Sequence, residues 1–180
     1  MISVGNKILI PKKETFEGFI RFWSGTNPTS GVSLRTNYTR QFGQKFEIPT
    51  SGSYLLDYVG CYRNKYNLTS GTLYCAIYSD DNGVPGSELH RVSVSASSVG
   101  TSVSYGRFYF SDVYLNGKTP YWIVFYPSFL YDDKYFNIMQ GMDATGNTFP
   151  IAKYSLTDGW TIGGVGAWQY WLAGSIYFTV

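Results

Sequence analysis

The chain has 180 residues, of which only 14% are charged, and a formal net charge of +2. That length fits one domain, and the scattered lysines and arginines give no basic stripe of the kind that nucleic acid requires. No segment approaches the ~20 apolar residues that a membrane-spanning helix needs. The 17 tyrosines, 12 phenylalanines and 5 tryptophans exceed what one core of this size ordinarily buries. Several are therefore expected at the surface, where tyrosine marks contact with something else.

In chain order, residues 1–14 differ from the rest, because Ile8, Leu9 and Ile10 form a short apolar run before Pro11 and the pair Lys12-Lys13. Two readings stay open: an edge strand with a frayed end, or an arm that docks on a neighbouring subunit, since termini are ordered only when tied down. The first eleven residues lack a charged start, a continuous apolar stretch and a small-residue cleavage site, so no secretory leader is expected.

From residue 15 onward, period-two alternation, β-branched and aromatic enrichment and closely spaced turn signals recur, and no window carries a helical stripe. Strands are expected at 15–23, 39–48, 54–63, 72–79, 88–94, 105–113, 121–128, 135–141, 150–156 and 168–180. Breakers lie between them at Asn27-Pro28, Pro49 to Gly52, Asn82 to Gly86, Asn116-Gly117 and the glycine-rich run 159–166. Many short strands with such punctuation predict an all-β chain, a single antiparallel β-sandwich over 15–180.

Alternation over 72–79 puts Leu73, Cys75 and Ile77 on a core face and Tyr74, Ala76 and Tyr78 on the other. Phe108 with Phe110, and Val113 with Leu115, form two further core pairs whose phase changes near Ser111, a sign of a bulge. Trp122, in a central strand, is expected in the core. If 54–63 and 72–79 are neighbouring strands of a hairpin, one register sets Cys61 opposite Cys75; free, buried thiols are expected in preference to a strained, directly opposed disulfide.

Chemistry-bearing residues are sparse. His90 is the single histidine and no Gly-x-Ser-x-Gly elbow is present, so the triad reading has no support. One histidine and two cysteines cannot complete a conventional zinc set. Asp80 and Asn82 offer oxygen ligands in a turn, a weak calcium candidate that lacks the later acidic ligand; the same residues are ordinary turn chemistry. Asp132-Asp133 are neighbours in sequence and a poor glycosidase pair. No catalytic residue and no cofactor is assigned, and the chain is read as non-enzymatic. The C-terminal third is the region most suggestive of binding: Tyr131, Tyr135, Trp160, Trp168 and Trp171 lie beside Gly, Asp and Asn residues, a composition that suits either a sugar site or a subunit interface.

The stretch Gly71, Thr72, Leu73, then Ile77, Tyr78, Ser79, Asp80, then Gly83, Val84, Pro85, Gly86, together with Tyr121, Trp122, Ile123 and Val124, resembles the jelly-roll modules found in bacteriophage virion proteins and bacterial surface proteins of the choice-of-anchor kind. The resemblance covers roughly 40–127. It implies a jelly-roll sandwich and a structural or adhesive virion component: a capsid decoration, head-fibre or tail-associated protein made in the host cytoplasm. Partners on that reading are further copies of the chain, a homotrimer being the first expectation, and other virion proteins, with host-surface glycan as a compatible ligand. The alternative is a carbohydrate-binding module of an extracellular or cell-surface protein. Neither nucleic acid nor membrane is an expected partner.

Overall fold

A computed structural model describes residues 18–21, 30–142, 150–163, 170–172 and 174–179. The strands are β1 Gly18–Arg21, β2 Ser30–Leu34, β3 Gln41–Glu47, β4 Ser53–Tyr66, β5 Thr72–Asp81, β6 Val84–Ser95, β7 Ser104–Tyr109, β8 Tyr114–Asn116, β9 Pro120–Pro127, β10 Tyr135–Met142, β11 Ile151–Ser155, β12 Gly159–Ile162, β13 Tyr170–Leu172 and β14 Gly174–Thr179. Among the described residues the one helical element is a 3₁₀ turn, Ala96–Ser98. The strands form two antiparallel sheets packed face to face, so the chain is an all-β sandwich, as alternation predicts.

The six-stranded sheet runs β12-β11-β3-β9-β5-β6. The eight-stranded sheet centres on β4, which pairs with β7 and β8 and also with β14 and β10; β1 flanks β14, while β2 and β13 flank β10. Between the sheets lies one continuous core that joins Phe42, Phe46, Leu73, Ile77 and Phe125 of the first sheet to Leu56, Val59, Phe108, Phe136 and Ile138 of the second. Burying a side chain of this size stabilises by about 1.5–3 kcal/mol. Interleaved aliphatic and aromatic side chains therefore hold the sandwich without a disulfide, and Cys61 and Cys75 are both free and buried.

Those two cysteines correct one expectation. Cys75 faces the core as alternation requires, but β5 does not pair with β4: it lies between β9 and β6 in the other sheet. The segment after Tyr66 crosses from one sheet to the other, so Cys61 and Cys75 belong to opposite sheets and share the core, not a hairpin. A second correction concerns 105–113. Phe108, Phe110, Val113 and Leu115 are all buried, but this stretch is two strands joined by a turn with Asp112 at φ 57°.

The phase change has a counterpart on β4. Tyr58 pairs with Tyr109 and Leu55 with Tyr114, leaving residues 110–113 opposite Leu56 and Asp57 alone. The pairing with β14 slips at the same point, Tyr177 opposite Tyr58 and Phe178 opposite Leu56. Asp57 is thus an extra residue that reverses the alternation of β4. Tyr54 and Leu56 point inward before it, Val59 and Cys61 after it. Tyr58, Gly60, Tyr62 and Tyr66 consequently face away from the core.

The expected turn at 82–86 is tighter than read. β5 runs to Asp81 and β6 starts at Val84, joined by Asn82 and Gly83, both with positive φ (52° and 92°), the conformation that makes Asn-Gly the favoured two-residue hairpin loop. β2 and β12 were not expected: β2 follows Asn27-Pro28, and β12 opens on Gly159 at φ 65°.

Candidate binding face

The outer face of the eight-stranded sheet carries a ladder of tyrosine pairs. Its spine is β4, where Tyr58, Tyr62 and Tyr66 recur every fourth residue, about 13 Å apart at the usual strand rise. Each packs on a ring from a neighbouring strand. Tyr58 packs on Tyr109 with ring centres 5.6 Å apart, Tyr62 on Tyr105 edge-on at 5.3 Å, and Tyr66 on Tyr135 in a near-parallel stack at 5.1 Å. In every pair one ring is the more open: Tyr109 is 60% exposed, Tyr105 39% and Tyr66 50%. Tyr58 is buried and Tyr62 and Tyr135 are half-buried. Each open ring is thus backed by a second ring that limits its motion.

Two arginines join this ladder through the buried or half-buried rings. The Arg107 guanidinium lies 4.6 Å from the centre of the Tyr58 ring and donates to the Tyr109 hydroxyl at 3.3 Å. That of Arg35 lies 3.7 Å from the Tyr135 ring centre and 5.5 Å from that of Tyr38. Neither forms an ion pair with a described residue, since the two ion pairs among them are Lys45–Asp80 and Arg91–Glu88. The Arg35 Nε is buried without a hydrogen-bond partner.

A glycine and an amide row complete the surface. Gly60 lies between Tyr58 and Tyr62, and a Cβ there would stand 1.8 Å from the Tyr105 hydroxyl oxygen; the Tyr105 ring lies across the place where a side chain would be. Farther along, Ser33 Oγ donates to Asn137 Oδ1 at 2.7 Å, Asn137 Nδ2 to Asn64 Oδ1 at 3.0 Å, and Asn64 Nδ2 to the Thr101 carbonyl at 3.0 Å. The face is therefore aromatic, hydroxylated and cationic, with its side chains locked by one another.

The expected site residues divide accordingly. Tyr135 belongs to the ladder. Tyr131 lies in the loop entering β10, 47% exposed, its ring packed edge-on against Phe129. Beside it Asp132 accepts hydrogen bonds from the backbone and side chain of Asn37. Trp160 is elsewhere, half-buried on β12 and edge-on to Tyr154 at 5.4 Å. Trp171 is placed by its backbone alone, opposite Gly141, and Trp168 and the arm residues Ile8, Leu9 and Ile10 lie outside the described residues. Tyr58, Tyr62, Tyr66, Tyr105, Tyr109, Arg35 and Arg107 were not singled out by sequence reasoning. Their four-residue spacing on β4 was the available signal.

The outer face of the six-stranded sheet is partly closed, with Tyr74 packed on Tyr126 at 5.1 Å and Arg91 over the Tyr74 ring left half-exposed at its edge. Flat, the sheet would hold β12 and β6 about 24 Å apart, yet the two strands touch. It curls over a small second core of Trp122, Val124 and Ala152, packed by Tyr78, Tyr126 and Trp160. A Cβ on Gly43 of β3 would meet Pro85 of β6 at 3.5 Å, which shows how far β6 folds back. Trp122 is fully buried as expected, but here and not in the main core.

Asp80 anchors this side. One oxygen accepts a hydrogen bond from Trp122 Nε1 at 2.7 Å and faces Lys45 Nζ at 2.8 Å; the other accepts from the Gly83 amide at 3.1 Å. Burial raises the Asp80 carboxyl, but the hydrogen bonds of Lys45, Trp122 and Gly83 outweigh it and hold it below the ordinary carboxylate range. Its oxygens are committed, and Asn82 turns its amide to Asp81, which leaves this turn a hairpin device. Nearby, Tyr126 and Tyr78 both donate to Glu88, and Arg91 donates to Tyr126 at 3.2 Å. Burial and the Glu88 carboxylate push the Tyr126 phenol up to about 12 and that of Tyr78 farther, so neither is a base at neutral pH. His90 is exposed on β6. Among the described residues no three histidine, cysteine, aspartate or glutamate side chains gather as a metal site. No protein-family model and no curated protein matches the chain.

Proposed function

We propose that this chain is a non-enzymatic adhesive or structural module that holds a partner against the outer face of its eight-stranded sheet. One observation carries the reading: three open tyrosine rings, each backed by another ring, stand on one face with two arginines that have no carboxylate partner among the described residues. Tyrosine and arginine are enriched among the residues that dominate contact energetics, tyrosine because its ring offers large area and a hydrogen-bonding group at low conformational cost. The resemblance of 40–127 to virion and surface jelly-roll modules supplies the setting: a capsid decoration, head-fibre or tail-associated subunit that faces a bacterial envelope.

Co-sedimentation of the purified chain with bacterial envelope fragments tests the reading. Replacing Tyr105 and Tyr109 together by serine removes two open rings while leaving Tyr58 and the core in place. The double variant should fold as the parent does and lose most of its sedimenting fraction. A folded variant that sediments like the parent would remove this face as the contact surface.

A further inference from the structure

We infer that the ligand of this face is a linear polysaccharide carrying carboxylates on its sugar rings, a uronate polymer; the inference rests on the binding reading above and names its ligand. Three features select this chemistry. The tyrosine pairs form three stations whose β4 members step by about 13 Å, two with the open ring on β7 and one with it on β4, and a surface that repeats fits a ligand that repeats. Flat, exposed rings beside hydroxyl and amide groups suit sugar rings, whose C–H faces pack on aromatics while their hydroxyls bond outward, and the amide row of Ser33, Asn137 and Asn64 lies between the second and third stations.

The cations supply the charge. Arg107 and Arg35 lie at the first and third stations, each over a tyrosine ring and neither paired with an acid among the described residues. A stacked guanidinium keeps its in-plane donors free for a bidentate carboxylate. Because Arg107 also bonds the Tyr109 hydroxyl, its remaining donors lie at the rim of the open ring. A carboxylate carried by a sugar stacked there comes within their reach. Nucleic acid also stacks on aromatics, but its binding relies on a groove lined with many cations, and here two arginines serve three stations in a chain of net charge +2.

Affinity electrophoresis in gels containing polygalacturonate, hyaluronate, neutral dextran, a poly(glycerol phosphate) teichoic acid or oligodeoxythymidylate decides the matter. Retardation is expected in a uronate gel and not in dextran, weakened by salt. Arg107→Gln and Arg35→Gln should each weaken it roughly tenfold or more, the usual size of a lost charge-assisted bond. Arg35→Lys keeps the charge but not the planar fork, so it should fold as the parent does and recover only part of the retardation lost in Arg35→Gln. Equal retardation by dextran with unaffected arginine variants overturns the acidic ligand and leaves the face. Preference for the teichoic acid or the oligonucleotide, or retardation by none of the gels, overturns the uronate assignment. If the tyrosine double variant still loses envelope attachment in those cases, the contact face survives; if attachment is indifferent to the tyrosines, both readings fall.

Discussion

Gly60→Ala separates the face from the fold. Residue 60 points outward, its φ is outside the left-handed region, and alanine there shrinks the unfolded ensemble by about 0.4–1 kcal/mol in favour of folding. Against this, the new Cβ would stand 1.8 Å from the Tyr105 hydroxyl and 2.4 Å from its ring carbon. The atoms struck are the outer end of the Tyr105 side chain, which is 39% exposed, so the ring shifts and loses its edge-on contact with Tyr62, about 0.5–1.5 kcal/mol. The terms nearly cancel, and stability should change by less than about 1 kcal/mol while the middle station disappears. Gly106→Ala, on the neighbouring strand and facing inward, is the contrast. Its Cβ would strike the Arg63 guanidinium at 2.3 Å, and Arg63 is buried, 4.4 Å from the Phe108 ring centre, with Nη1 unpartnered. Overpacking of that kind costs about 1–3 kcal/mol. Urea unfolding of both variants gives the energies, and near-ultraviolet circular dichroism reports the tyrosine pair. A loss above about 2 kcal/mol for Gly60→Ala, or an unchanged tyrosine spectrum, would refute the outward phase of β4 on which the ladder depends.

Other consequences can be checked alongside it. Asp80→Ala leaves the fully buried Trp122 indole without an acceptor and Lys45 without its partner, and should lower stability by about 1–3 kcal/mol in denaturant melts. Because the Asp80 carboxyl is held below its ordinary value, its contribution is complete above the unfolded-state pKa of about 3.9 and fades as pH falls through the folded value; Asp80→Asn should flatten the acid limb of the stability profile. Asn82→Ala keeps the φ of 52° but loses the local hydrogen bonding by which asparagine tolerates it, a cost of up to about 1 kcal/mol, whereas calcium should leave the melting temperature unmoved. Burial pushes the Cys61 thiol up to about 11 and that of Cys75 up as well, so a thiol reagent at pH 8 should find two groups in denaturant and almost none in the native protein. Rapid native labelling would contradict the buried placement of both.

How far the chain was readable follows from the range of the interactions involved. Leu73, Cys75 and Ile77 were legible because alternation is local, and so were the paired core residues Phe108 with Phe110 and Val113 with Leu115. The tyrosine ladder was not, because it joins residues as distant as Tyr62 and Tyr105 through strand register. It also depends on the bulge at Asp57: uninterrupted alternation from Tyr54 would have turned Tyr58 inward. Cys61 and Cys75 were set in one hairpin because short connections usually join adjacent strands; here the segment after Tyr66 changes sheets. Tyr131 and Tyr135 attracted notice by composition alone, and register separates Tyr135, stacked on Tyr66, from Trp160, which helps cover a second core.

Hydroxyl-radical footprinting of the intact protein, alone and with saturating uronate polymer, tests the central claim most directly because it reads each tyrosine separately. Oxidation of Tyr66, Tyr105 and Tyr109 should fall several-fold on binding, with Tyr74 and Tyr126 on the opposite face unchanged. Protection of Tyr74, Tyr126 or Trp160, with the three open rings of the ladder still oxidised at their free rate, would contradict it.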